Sequence, residues 1–231
     1  MDTNILEVKN LSVKLGQEKI INNLSFNVKK GEFLTILGPN ASGKTVLLKT
    51  LLDIFDYSGK IVWSKKAEVG YLPQGLTPLK VKNFPLLVEE FFNLKKNKFG
   101  DPMEFLKLVG ITDKNILKDS IGSLSGGQFQ RMLLAWVLSS KPNVLLFDEP
   151  TTGIDTNGEK TVYSLLHDLW KKEKMTIIMI THDLNIVSKY STNVLCMSRD
   201  NVYHGKPKEI LLPEILEEIY DAPVKYYQHY H

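Results

Sequence analysis

Three short stretches carry residue types whose spacing can do chemistry. Gly38-Pro39-Asn40-Ala41-Ser42-Gly43-Lys44-Thr45 has Gly, four residues, then Gly-Lys-Thr, the pattern of a phosphate-binding loop. It follows an apolar run, Phe33 to Leu37, that reads as a buried strand, and precedes Val46 to Leu52, apolar at helical spacing. A strand, a Gly-rich turn and a helix start form a concave nest of backbone N–H groups, which favours a polyanion. Lys44 adds a positive charge that reaches terminal phosphates, and the Thr45 hydroxyl is a ligand for Mg²⁺. A chance Gly-rich loop would lack these flanks. The second stretch is Val144-Leu145-Leu146-Phe147, a central parallel strand by composition, ending in Asp148-Glu149-Pro150. Two carboxylates at the end of a buried strand are costly without cations or polar partners. At the C-terminal edge of a parallel sheet, where open α/β folds bind ligands, Asp148 would help hold Mg²⁺. Glu149 would orient and deprotonate a water. Alone, such a run is often just a strand entering a turn; paired with the phosphate loop it means more.

The third stretch is Ser123-Leu124-Ser125-Gly126-Gly127-Gln128, before a helix expected over Phe129 to Leu138. Ser125 suits an N-cap, and two glycines at a helix N-terminus let an anion approach the backbone. One nucleotide already has its phosphate loop. The second anion site therefore suits a nucleotide held mainly by another copy of the domain.

With Leu-Ser-Gly-Gly-Gln the chain resembles the ATP-binding-cassette (ABC) ATPases, over essentially all of residues 5–220. The resemblance implies ATP and Mg²⁺ as ligands, and a head-to-tail dimer with two ATPs between the phosphate loop of one chain and the signature of the other. Gln74, after Val69-Gly70-Tyr71-Leu72-Pro73, matches the family's glutamine switch, which touches Mg²⁺ and water. His182, after the strand-like Ile177 to Ile180, matches the histidine switch at the γ-phosphate. Asp155 in Thr151-Thr152-Gly153-Ile154-Asp155 matches the loop that contacts the partner subunit. His167 lacks any such context and reads as an ordinary helix-face residue. Three positions depart from the family's pattern: Leu15 stands where an aromatic ring stacks on adenine, Val46 where a hydroxyl meets the α-phosphate, and Ala41 in place of a common Gly. These bear on affinity and base selectivity rather than on the reaction.

The elements that must position these residues follow from pattern. Residues 5–37 alternate apolar and polar with turns at Gly16 and Lys30-Gly31, predicting antiparallel strands. Short strands follow around Lys60 to Trp63 and Val69 to Leu72. From Gly75 to Gly122 the pattern turns helical, with Leu86 to Lys95 and Pro102 to Val109 apolar on one face and Pro73, Pro78 and Pro85 at the entry. After Asp148 come a helix over Thr156 to Lys172, a strand over Thr176 to Ile180 and a helix from Leu184. The fold class is α/β: a P-loop NTPase core with a mixed, mostly parallel sheet, N-terminal antiparallel strands and an inserted α-helical subdomain. The expected organisation is one domain, 1–231, with a core about 1–74 and 123–220, a helical subdomain about 75–122 and a tail 221–231.

Composition narrows the function. Lys and Arg number 29 against 26 Asp and Glu, net +3, so nothing demands nucleic acid or anionic lipid. The one cysteine, Cys196, excludes an internal disulfide and fits a reducing compartment. Met1 to Asn10 shows no leader pattern, and the longest apolar run, Met132 to Leu138, is far below the roughly 20 residues of a membrane helix. One cassette without heptads or a second copy points to the transporter class of the family. Phe84-Pro85-Leu86-Leu87-Val88-Glu89-Glu90, Val194 to Ser198 and His204 to Leu211 resemble the ATPases of zinc/manganese-type importers. That resemblance implies integral membrane permease subunits, an extracytoplasmic metal-binding protein, and a peripheral place on the cytoplasmic face of the membrane. The alternatives are the ATPase of another importer, or a non-transport soluble ATP switch. The tail Gln228-His229-Tyr230-His231 could hold a metal weakly, although a plain chain end or a tagging remnant explains it better.

Overall fold

The computed structural model describes residues 4–81, 83–96, 99–151 and 156–221. In chain order the strands and helices are β1 (Asn4–Leu15), β2 (Glu18–Lys29), β3 (Phe33–Leu37), α1 (Lys44–Leu51), β4 (Tyr57–Trp63), β5 (Val69–Leu72), α2 (Pro78–Val81), α3 (Val88–Asn93), α4 (Pro102–Leu108) and α5 (Gly126–Leu138). They continue with β6 (Val144–Asp148), α6 (Thr156–Glu173), β7 (Thr176–Ile180), α7 (Leu184–Tyr190), β8 (Asn193–Met197), β9 (Val202–Gly205), α8 (Pro207–Ile210) and α9 (Pro213–Tyr220). The chain forms two compact units, residues 1–67 with 175–231, and residues 68–174.

The first unit holds two sheets. β1 pairs antiparallel with β2, as the alternation of residues 5–37 predicts, and also antiparallel with β4, a pairing outside that expectation. Ile5, Leu6, Val8, Leu11 and Val13 of β1 are buried. In the second sheet β3 lies between β7 and β8, parallel to both, and β9 closes the edge antiparallel to β8. Every residue of β3 and β7 is buried. Such continuous apolar runs belong to strands covered on both faces. The edge where β3 begins is closed by polar pairing. The buried Glu32 carboxylate accepts from the Lys29 N–H at 2.8 Å and from Asn193 Nδ2 at 2.7 Å. The Gly31 N–H donates to Thr176 Oγ1 at 3.0 Å, and the Phe33 N–H to Thr192 Oγ1 at 2.9 Å. That edge is satisfied by the protein itself, which leaves chemistry to the opposite one.

The second unit is built on β5 and β6, which run parallel, and on the central helix α5. The helical block expected over residues 75–122 lies in this unit as α2, α3, α4 and two short 3₁₀ turns, Lys114–Lys118 and Ile121–Ser123. The Asp101 carboxylate caps α4 by accepting from the Met103 N–H at 3.0 Å, and Pro102 takes the first helical position, where its missing N–H costs nothing. The last carbonyls of α5 have no intrahelical partners, and no basic residue of its own lies in the last turn. Lys95, just past α3, supplies the donor. Its ammonium reaches the carbonyls of Trp136 at 2.7 Å and Val137 at 3.2 Å, 4.3 Å above the Trp136 ring. Burial lowers the Lys95 pKa, and the carbonyl dipoles and the ring face compensate the buried charge.

Gly70 of β5 is buried where β5 meets α5. A Cβ there would lie 2.6 Å from Val137 Cγ1, 3.0 Å from Leu145 Cδ2 and 3.2 Å from Pro142 Cγ. Gly70→Ala therefore overpacks a tight contact and should cost about 1–3 kcal/mol. A thermal melt of the purified chain should fall by roughly 2–4 °C for each of those kcal/mol. An unchanged melting temperature would mean that α5 moves aside at little cost.

Candidate active site

Strand register decides which residues emerge together. In the first unit Ile36 of β3 pairs with Ile180 of β7, so Gly38 and His182 each stand two residues beyond paired positions, at one edge of the sheet. In the second unit Leu72 of β5 pairs with Phe147 of β6, which gives Gln74 and Glu149 the same relation. Equal offsets from a parallel pair end at equal heights, because parallel strands rise at the same rate per residue.

The phosphate loop fills the turn between β3 and α1. Gly38 has φ 147° and Gly43 φ 92°, conformations glycine adopts freely. A Cβ on Gly38 would collide with the Met197 carbonyl oxygen, and one on Gly43 would press on Ile20 of β2 at 3.0 Å. Ala41 also lies in the left-handed region, at φ 62°. The alanine pays for a backbone angle that glycine would take without strain. Lys44 is buried, and its ammonium donates to the carbonyls of Gly38 at 2.9 Å and Pro39 at 2.7 Å. Ser42 is buried too, and its Oγ has no hydrogen-bond partner among the described residues. A buried cation and an unanswered hydroxyl inside a loop of backbone N–H groups are a donor set for an anion. Leu15 ends β1 at the hairpin turn and is 38% exposed, so its side chain is available to a flat apolar ligand. Thr45 and Val46 are half-buried at the start of α1, and Asn40 is exposed.

The second unit brings Gln74 and Glu149 into contact: Gln74 Nε2 donates to Glu149 Oε2 at 2.6 Å. Glu149 has φ 49°, a strained backbone for a residue with a Cβ. Asp148 is 1% exposed. Beside it, Tyr71 of β5 has its hydroxyl pKa pushed up to about 12, by burial first and by the Asp148 charge second. The Tyr71 hydroxyl is buried without a hydrogen-bond partner among the described residues. The sequence marks Tyr71 only as part of a strand; an aromatic immediately ahead of Leu72-Pro73-Gln74 is the available signal.

Ser125 caps α5 as expected, and the helix starts at Gly126, three residues before Phe129. Ser125 Oγ accepts from the Gln128 N–H at 3.2 Å while Gln128 Oε1 accepts from the Ser125 N–H at 3.0 Å. Gln128 thus has half of its side chain committed to a capping box. Gly127 has open space where a Cβ would stand. Gln130, two residues on, is buried, and its Nε2 donates to the Leu76 carbonyl at 3.0 Å, so α5 holds the chain that leaves Gln74. Sequence reading gave Gln130 no part. His182 is exposed in front of Asp183, which caps α7 through the Asn185 and Ile186 N–H groups. Asp155 and the tail histidines His229 and His231 lie outside the described residues.

A phosphate loop on an α/β core, a strand-end carboxylate pair and a capped Gly-Gly helix start define a nucleoside-triphosphatase of the P-loop class. Residues 21–152 match the ABC transporter family model. A zinc import ATP-binding protein, ZnuC, from Wigglesworthia glossinidia brevipalpis is 40% identical over 212 residues, covering 90% of this chain and 88% of its own. ZnuC from Rickettsia conorii is 37% identical over 238 residues, covering 100% and 98%. Among solved structures, cbiO1 from Clostridium perfringens, part of the ABC transporter complex cbiONQ, superposes with a TM-score of 0.77 at 29% identity, covering 94% of each chain. The chain belongs to the ABC transporter family and is an ATPase of that family. No helix among the described residues is long and apolar enough to cross a membrane.

Lys44→Ala removes the one ammonium inside the phosphate loop. Isothermal calorimetry with ATP should then show no measurable binding, because charge-assisted contacts to phosphate are the strong ones. Wild-type affinity in that variant would take Lys44 out of the site.

Proposed function

We propose that the chain is the ATP-hydrolysing subunit of a divalent-metal importer of the zinc/manganese/iron type. In this reading it works as an ATP-dependent homodimer on the cytoplasmic face of the membrane, bound to integral permease subunits that a metal-binding protein serves from outside. The names of the ZnuC relatives support the metal. The observation that carries hydrolysis is Glu149, a carboxylate in a strained conformation held by Gln74 at 2.6 Å.

The roles follow from chemistry. Lys44 and the backbone N–H groups of the loop from Asn40 to Val46, with the Ser42 hydroxyl, bind phosphate, Gly38 and Pro39 form the turn that presents them, and Leu15 packs on the base. Ser125, Gly126 and Gly127 present a helix N-terminus to the nucleotide of the partner copy, with Gln128 locking that turn and Asp155 facing the same partner. Thr45, Asp148 and Gln74 offer hydroxyl, carboxylate and amide oxygens, the hard donors that suit Mg²⁺, and would hold it. The ion, when bound, neutralises charge developing on the phosphate oxygens. Glu149 takes a proton from the attacking water, and His182 donates toward the γ-phosphate. Binding of ATP closes the two copies, and hydrolysis lets them part.

Glu149→Gln keeps the hydrogen-bonding shape and loses the base. It should bind ATP, accumulate as a dimer by size exclusion, and hydrolyse about 10²–10⁴-fold more slowly. Turnover within a few-fold of wild type in a phosphate-release assay would sink the base assignment.

The permease surface follows from the run around α3. Val88 and Phe92 are fully buried and belong to the core, whereas Phe84 is 61% exposed and Leu87 38%. An exposed aromatic next to an exposed leucine is a docking anchor. Phe84→Glu should abolish co-purification with the neighbouring permease and leave ATP affinity unchanged. A complex that survives this change and Leu87→Glu would place docking elsewhere; absence of any permease partner would favour a soluble ATP switch.

A further inference from the structure

Gln74 reaches Glu149 from a weakly fixed stretch of chain. It stands two residues beyond Leu72, where β5 last pairs with β6. Its side chain is exposed, and the next residue is Gly75, at φ 76°. Glycine takes such an angle without strain and leaves it as readily, so that peptide is a pivot unless the chain beyond it is held. It is held. Gln130 of α5 is buried, and its Nε2 donates to the Leu76 carbonyl at 3.0 Å. Ahead of Gln74 the same helix meets Gly70, where Val137 packs so closely that a Cβ would lie 2.6 Å from its Cγ1. Gln130 and Val137 stand two helical turns apart in α5 and share one face of it. One helix thus fastens the chain on both sides of Gln74, by packing at Gly70 and by a hydrogen bond at Leu76.

We propose that Gln130 is a positioning residue for hydrolysis. It fixes Leu76, and through Leu76 the Gln74 amide that donates to Glu149 Oε2 at 2.6 Å. The proposal rests on the reading of Glu149 as the base. An exposed amide holds a carboxylate in one orientation only when its own backbone is fixed, because free rotation of the segment dissolves the contact. Packing alone gives no reason for a glutamine at this place in α5. Its Oε1 is buried with no hydrogen-bond partner among the described residues, an unanswered acceptor that an apolar side chain of equal length would not bury. What the amide supplies, and such a side chain cannot, is the donor to Leu76.

Gln130→Met keeps length and volume, and removes the donor together with the unanswered acceptor. The melting temperature of the purified full chain should stay within about 2 °C of wild type. Affinity for MgADP by calorimetry should stay within about twofold, while kcat in a phosphate-release assay falls about three- to tenfold, the worth of one net hydrogen bond. Backbone amide exchange should quicken over residues 73–77 and not over α5. The sharpest comparison uses Glu149→Gln. If Gln130 acts through Glu149, adding Gln130→Met to that variant should slow single-turnover hydrolysis no further. Equal losses in the two backgrounds overturn the proposal, as does a wild-type kcat in Gln130→Met. A lowered melting temperature with exchange quickened throughout the chain makes Gln130 a packing residue and overturns it too. In the wild type, a Gln130 side-chain amide that exchanges at the rate of an exposed one overturns it without any variant. Wild-type turnover in Glu149→Gln alone would instead overturn the base reading, and the exchange over residues 73–77 would still decide whether Gln130 holds the segment that carries Gln74.

Discussion

Parallel pairing with fixed register is the constraint on which the rest of this molecule depends. Ile36 opposite Ile180, and Leu72 opposite Phe147, set where four functional residues leave their strands. A slip of one residue would turn every side chain of a strand to its other face. Because β3, β6 and β7 are buried on both faces, such a slip would be opposed less by the apolar pattern than by the ends. At the entry edge of the first unit, Glu32 with Asn193, Gly31 with Thr176, and Phe33 with Thr192 tie neighbouring strand ends together through hydrogen bonds that fit one register. The polar contacts at one edge thus fix the chemistry at the other.

The site stores its cost locally. Lys44 is buried, and its ammonium donates to two carbonyls of its own loop. A neutral carbonyl yields the ammonium to a phosphate readily. Glu149 and Ala41 both occupy left-handed backbone conformations at roughly a kcal/mol or two each, the range for residues with a Cβ. Such strain persists only where the surroundings over-determine the chain. Here the buried β6 and the Gln74 contact hold Glu149, and Gly38, Gly43 and buried Lys44 hold the turn that contains Ala41.

What was legible in the sequence was whatever rests on a side-chain type at a fixed offset from an apolar run. The phosphate loop, Asp148-Glu149 and the Ser125 cap fell where expected, and β7 and the start of α7 match residue for residue. The illegible part consists of contacts between segments distant in the chain. Gln130 reaches Leu76 across 54 residues and Lys95 reaches Trp136 across 41, and neither leaves a pattern in its own neighbourhood. Gln128 shows the opposite limit. Its place in the signature suggested a ligand contact, whereas its side-chain oxygen is spent on the Ser125 N–H, a capping box already written in the spacing of Ser125 and Gln128.

The C-terminal segment extends the same logic. Pro213 to Tyr220, helical in the structure, follows the last functional motif and holds no residue that chemistry would select. Packed, it joins the apolar cluster that buries Leu37, so the C-terminal helix backs the strand that leads into the phosphate loop. Glycine at position 38 fits the same packing, since a side chain there would meet the Met197 carbonyl. The requirement for glycine in the first place of the motif then has two sources in this chain. The φ of 147° suits a residue without a Cβ, and so does the backbone packed behind it. An alanine fails on both counts, which is why the first glycine of this loop answers to the fold as much as to the phosphate.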